Sequence, residues 1–139
     1  MTTANLNQLE LTEFRGVENN RQHCHATFPL FSAHGTKKLA TVYFEIEPGD
    51  HLGTHTDSAE ELLIILAGDA KVTIGKEVSK VSAGKLALVP EMVPHNIANM
   101  GNITLKVLGV FGGANNIIAT FENDWLPTNS NVVDTAQLV

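Results

Sequence analysis

The sequence predicts an all-β fold, a sandwich or a barrel, formed as a single domain. Three observations carry that reading. From residue 39 onward, short apolar runs are separated by Gly, Pro, Asn and Asp. Several of those runs alternate with a period of two, and no long helical stripe interrupts them. The 139 residues are enough for one domain with a core of its own. A hydrophobic fraction of 43% and a charged fraction of 17% are ordinary for a globular chain and exclude a disordered or fibrous one.

Residues 1–38 read as an N-terminal arm, with strands expected at 6–14 and 22–31 that could add to a neighbouring sheet or exchange with another subunit. Residues 39–113 read as the barrel core. Leu39–Ile46 alternates, with Ala40, Val42, Phe44 and Ile46 on one face and Thr41, Tyr43 and Glu45 on the other. Pro48-Gly49-Asp50 breaks this strand. The run 62–66, the turn Gly68-Asp69 and the alternating 70–75 read as a hairpin. Further strands are expected at 85–89, 95–98 and 103–111. Val42, Phe44, Leu63, Ile65, Val72, Ile74, Val107 and Val110 form the expected aliphatic interior. Residues 114–139 are expected to pack on the barrel. Ile117, Phe121 and Trp125, spaced by four, suggest a short C-terminal amphipathic helix ended by Pro127, followed by a loose polar tail.

Composition also narrows the partners. The net charge is −6 and the only basic cluster is Lys37-Lys38, so a phosphate-binding footprint is missing and nucleic acid is excluded as an expected partner. The longest apolar runs fall far short of the roughly 20 residues of a membrane-spanning helix. The first eight residues have neither a basic segment nor an apolar stretch, which makes the cytoplasm the expected location. The single cysteine, Cys24, has no thiol partner in the chain.

Polar donors are concentrated before the most apolar strand. His51, His55, Asp57, Glu60 and Glu61 all lie between Gly49 and Gly68. On an extended segment His55 and Asp57 project from one face, the arrangement by which one strand offers two ligands to one ion. Glu61 opens the next strand, and His95 must come from a remote one. His51 shares the parity of His55 and is a second candidate donor or proton carrier, although Gly49 and Gly53 make its segment a loop. Glu60 is expected to face away from Glu61. His23-Cys24-His25 can be read as a second soft site or as ordinary strand side chains.

These residues fall into two spaced motifs. The first is Gly49, five residues, His55-x-Asp57, three residues, Glu61, six residues, Gly68. The second is Gly84, five residues, Pro90-x-Met92, two residues, His95, three residues, Asn99. This pattern resembles the cupin superfamily, with Asp57 where a second histidine is usual and Met92 where a glycine is usual. The resemblance covers about residues 39–111. It implies a small jelly-roll barrel (a double-stranded β-helix), metal ligation by His55, Glu61 and His95 with Asp57 in the fourth place, and a homodimer. It also implies a divalent metal, with Fe(II) favoured and Mn, Ni or Zn as alternatives.

The expected function is metal-dependent chemistry on a small organic molecule. Dioxygenase-like oxidation leads. A redox-neutral isomerase, lyase or decarboxylase, with Glu61 or His51 moving protons, is the competitor within the enzymes. A non-catalytic ligand-binding cupin is the alternative outside them.

Overall fold

The computed structural model describes residues 1–138. Twelve strands make up nearly all of the regular structure: β1 (Thr12–Gly16), β2 (His23–Thr27), β3 (Leu39–Ile46), β4 (His55–Asp57), β5 (Glu61–Ala67), β6 (Asp69–Ile74), β7 (Glu77–Ser82), β8 (Leu86–Val89), β9 (His95–Asn99), β10 (Leu105–Gly112), β11 (Ile118–Leu126) and β12 (Ser130–Asp134). Two single-turn 3-10 helices, Ser32–His34 and Thr135–Leu138, complete the inventory. Among the described residues no helix is long and apolar enough to cross a membrane.

The topology follows from one long antiparallel ribbon. β6 and β7 meet at the two-residue turn Gly75-Lys76, and the strands on either side pair in nested order: β5 with β8, β4 with β9 and β3 with β10. The partners Ile74↔Glu77, Glu61↔Val89, His55↔His95 and Leu39↔Gly112 are all centred on that turn to within about one residue. The ribbon is wound on itself, so β10 also pairs with β5 and β6 also pairs with β9. The result is the jelly-roll barrel that the sequence predicts. Backbone bonds from Ala83 to the Gly68 carbonyl and from Gly84 to the Ile65 carbonyl draw the β7–β8 corner against β5, nearly closing the barrel.

Winding explains the first departure from expectation. β5 and β6 are strands, but they do not form a hairpin with each other. Gly68, at φ +89°, turns the chain from one side of the barrel to the other. An added Cβ there would stand 3.2 Å from the Leu105 Cα, so the backbone approaches too closely for a side chain.

The second departure is the C-terminus. The expected helix is instead β11, which pairs with β1, β4 and β12, and the expected loose tail contains β12 and a 3-10 turn. A spacing of four is even, so Ile117, Phe121 and Trp125 share a face of a strand as readily as a face of a helix. β-branched residues at Ile117, Ile118 and Thr120 favour the strand. The arm forms β1 and β2, which pair with β11 and β3 of the same chain.

The interior matches the alternation. Ile46, Leu63, Ile65, Leu105 and Val107 are fully buried, each contributing about 1.5–3 kcal/mol through removal of its side chain from water. Val110 does not join them. It lies three residues from Val107, an odd interval on a strand, and so faces outward with Lys106 and Leu108.

Candidate metal centre

β4 and β9 are direct neighbours, with His55 opposite His95. Their ring centroids are 4.1 Å apart. Asp57, two residues along β4, lies on the same inner face. Its Oδ2 is 3.0 Å from His95 Nε2 and 3.9 Å from His55 Nε2. His55, Asp57 and His95 each present one donor atom, all within 4.8 Å of one another, and all three residues are buried.

The local chain aims both rings. His55 Nδ1 donates to the Gly53 carbonyl at 2.8 Å, and His95 Nδ1 donates to the Val93 carbonyl at 2.9 Å. A carbonyl only accepts, so in each neutral ring Nδ1 holds the hydrogen and Nε2 presents its lone pair to the centre. Gly53, at φ +87°, is pinned in turn by donation from its N–H to the Asn96 side chain. Met92 occupies the left-handed region at φ 61° and donates to the Asp57 carbonyl. This backbone shape explains why glycine suits the position. A side chain there costs about 1–2 kcal/mol.

Asp57 Oδ2 and His95 Nε2 are buried without an aligned hydrogen bond; a proton on Nε2 makes their 3.0 Å contact an ion pair, and without that proton both lone pairs are left unsatisfied. Buried polar atoms without partners are costly and rare. An ion accepting both lone pairs would satisfy them, and two imidazoles with a carboxylate form a donor set suited to a divalent transition metal. The residues fit the group.

Glu61 enters from β5, its Oε1 3.6 Å from His95 Nε2. It stands just beyond the three-residue cluster. Gly109 on β10 makes room for it: a Cβ at that position would collide with the Glu61 carboxylate and with Val42. His51 is not brought in. It bridges to Ala98, which alternates with the inward Ile97 and Asn99, so His51 faces away from His95. Its Nδ1 is buried without a partner, and burial lowers its pKa.

Burial governs the charge states. It pushes His55 down to about 4 despite the neighbouring Asp57. It pushes Glu61 up to about 7 against the pull of His95. Burial also opposes charge on His95, but Asp57 and Glu61 outweigh it and hold that imidazolium up to about 10. Without an ion, a proton on His95 balances the carboxylates.

His55, Asp57 and Glu61 form the polar wall of a cavity of about 80 Å³ whose remaining lining is almost entirely apolar, including Phe14, Phe44, Ile97 and Phe121. Phe121 stacks on His55 with centroids 4.4 Å apart. Cys24 also lines the cavity, and burial pushes its thiol up to about 12, so it is an inert wall. Phe121 and Gly109 escaped the sequence reading, because one was placed on a helix and the other matters only through what packs on it.

A family model described as a cupin domain matches residues 42–111. The chain belongs to the cupin family. Over 51 residues this cupin is 37% identical to an uncharacterised protein of Methanocaldococcus jannaschii, a match covering 37% of this chain and 41% of that one. It thus spans well under half the length of that relative. Solved structures that share the fold include the following three. A protein from Thermotoga maritima described as a predicted oxalate decarboxylase is 19% identical, with a TM-score of 0.67 over 81% of this chain and 99% of that one. A polyketide cyclase from Streptomyces resistomycificus is 16% identical, with a TM-score of 0.66 over 81% and 79%. An oxalate decarboxylase from Lactobacillus farciminis is 23% identical, with a TM-score of 0.66 over 78% and 32%. Identities this low speak for the fold alone.

Proposed function

We propose that this cupin is a metal-dependent enzyme acting on a small, largely apolar organic molecule, with dioxygenase-like oxidation as its leading chemistry and Fe(II) as the favoured ion. The observation that carries this reading is the convergence of two histidines and one carboxylate on one face, backed by an apolar cavity. Such a ligand set leaves coordination positions open and is typical of oxygen-using Fe(II) centres. When bound, the ion would supply the electron transfer and polarise a substrate oxygen. His55, Asp57 and His95 hold it, and their Nδ1 and backbone bonds preset their directions. Phe121 and Phe44 exclude water and accept the substrate's apolar body.

Glu61 supports a second reading within the same class. A buried carboxyl beside the cluster, with its pKa raised to about 7, is suited to taking or giving a proton near neutrality in a redox-neutral isomerase, lyase or decarboxylase step. Metal content of protein purified without chelators, followed by oxygen uptake with diketones, flavonoids, thiols and hydroxy acids, separates the readings. Fe(II)-dependent uptake that Asp57→Ala abolishes supports oxidation. Turnover without oxygen uptake that Glu61→Gln abolishes supports proton transfer. Protein that cannot be loaded with any of these metals refutes both.

We also propose a homodimer. Two rows of apolar side chains cross the outer face of the sheet: Leu88, Leu62 and Val110 in one, and Leu86, Ile64 and Leu108 in the other. Leu86 and Leu88 are 60% and 56% exposed, which forms a patch that commonly marks an interface. Leu86→Glu with Leu88→Glu gives a monomer in sedimentation, whereas an unchanged mass would remove this face from consideration.

A further inference from the structure

A second set of donors occupies the outer face of the β1–β2 hairpin. Cys24 and Ala26 line the cavity, so the alternating His23 and His25 project to the other side of the sheet. Glu13 pairs directly opposite His25. His23 Nε2 lies 2.8 Å and His25 Nε2 3.8 Å from Glu13 Oε2, and the three residues each offer a donor atom within 4.8 Å of the others. An ion with bonds of about 2.0–2.2 Å holds its ligand atoms roughly 3–4 Å apart, which matches these separations after small rotations.

His23 is oriented as metal-binding imidazoles usually are. Its Nδ1 meets Asp50 Oδ2 at 2.9 Å, and the other oxygen of Asp50 accepts from Arg21 Nη1 at 3.1 Å. The side chains of His23 and Asp50 are each only 9% exposed, so this support is buried although Glu13 and His25 reach solvent. A carboxylate on Nδ1 fixes the ring and strengthens Nε2 as a donor. A hydrogen shared between His23 Nε2 and Glu13 stands where the ion would stand. Arg15 Nη2, 3.1 Å from the same Glu13 oxygen, opposes a cation, but its side chain is half exposed and free to turn into solvent.

We propose that Glu13, His23 and His25 form a second binding site for a divalent transition ion of the Zn(II) class, separate from the barrel centre, with Asp50 orienting His23. Two imidazoles and one carboxylate leave a fourth tetrahedral position for solvent on the exposed side. The site joins the β1–β2 hairpin to the loop bearing Asp50 and His51, which runs directly into His55. His51 N–H donates to the Arg21 carbonyl, and His23 N–H donates to the His51 carbonyl.

The test titrates Zn(II) into the full chain, stripped of metal beforehand, against a chromophoric competitor while following the ring nitrogen resonances of each histidine. His25→Gln and Glu13→Gln alter exposed side chains whose loss leaves the core intact. The expected result is two equivalents in the unaltered protein, with His23 and His25 Nε2 shifting together for one of them. That equivalent weakens at least about tenfold in either variant, and Asp50→Asn weakens it about 10–100-fold. A single equivalent that both variants abolish also supports the site and counts only against the barrel centre. Resonances of His23 and His25 that do not move with Zn(II), or binding unchanged in both variants, overturn the proposal.

Discussion

The barrel centre and the outer face of the β1–β2 hairpin hold the same donor types, two histidines and a carboxylate, in opposite surroundings. Inside, His55, Asp57 and His95 are all buried, and two of their donor atoms lack hydrogen-bond partners. Outside, Glu13 is half exposed and shared among Arg15, His23 and His25. The inner rings take their orientation from backbone carbonyls, and the outer His23 takes it from Asp50. The difference shows what desolvation does to one chemistry. Inside, burial drives His55 down and Glu61 up, and the two carboxylates hold His95 up against burial, whereas at the outer cluster Glu13 is lowered, chiefly by its bond from His23. Water on the outer face screens what the inner face must satisfy internally.

The largest expected effect breaks the comparison at Asp57. Asp57→Asn preserves volume but removes the charge, and the barrel centre should lose more than about 100-fold in ion affinity, beyond the 10–100-fold typical of residues that only support ligands. Competitive titration should show the outer cluster unchanged.

Next comes pH. His95 is raised to about 10 and Glu61 to about 7, so the folded protein binds more protons than the unfolded chain above pH 6.5 and loses stability as pH rises from there toward 10. His55, lowered to about 4, acts oppositely, and its destabilisation grows as pH falls from 6.5 to 4. Thermal melts of metal-stripped protein should therefore fall by at least about 4 °C between pH 6.5 and 9. Saturating metal should flatten that fall, because ion binding requires His95 without its proton. A flat profile in the stripped protein would contradict the charge states assigned to the centre.

Gly109→Ala tests the room left for Glu61. Its methyl group overpacks the site and should cost about 1–3 kcal/mol in denaturant unfolding. Adding Glu61→Ala should recover part of that loss, since the two positions touch. The smallest effect lies outside. Arg15→Ala removes a cation from Glu13 and should tighten Zn(II) there about two- to threefold at low salt, with the gain vanishing at high salt.

Much of the inner site was legible because its donors obey short-range geometry. His55 and Asp57 share a face by parity, and Glu61 begins the next strand whatever the barrel does. His95 was placed only through its second motif, yet its partner could have been read from symmetry, since His55 and His95 lie equally far on either side of Gly75. His51 shows the limit of parity. It matched His55 by counting, but the bend at Gly53 breaks the extended chain between them and turns His51 to the other face. The outer cluster was visible only as His23-x-His25. Glu13 and Asp50 joined it through pairing and loop contacts that carry no local signal.

By itself, the sequence determined the strand alternation and the donor types, because these follow from the period of two and from turns at glycine. The tertiary structure alone decided how far each donor is removed from water, which strands curl over one another, and that β5 and β6 part at Gly68. Burial and curvature are collective properties of the closed barrel. They set the dielectric surroundings of His55, Asp57, Glu61 and His95, and with them the charge each one carries.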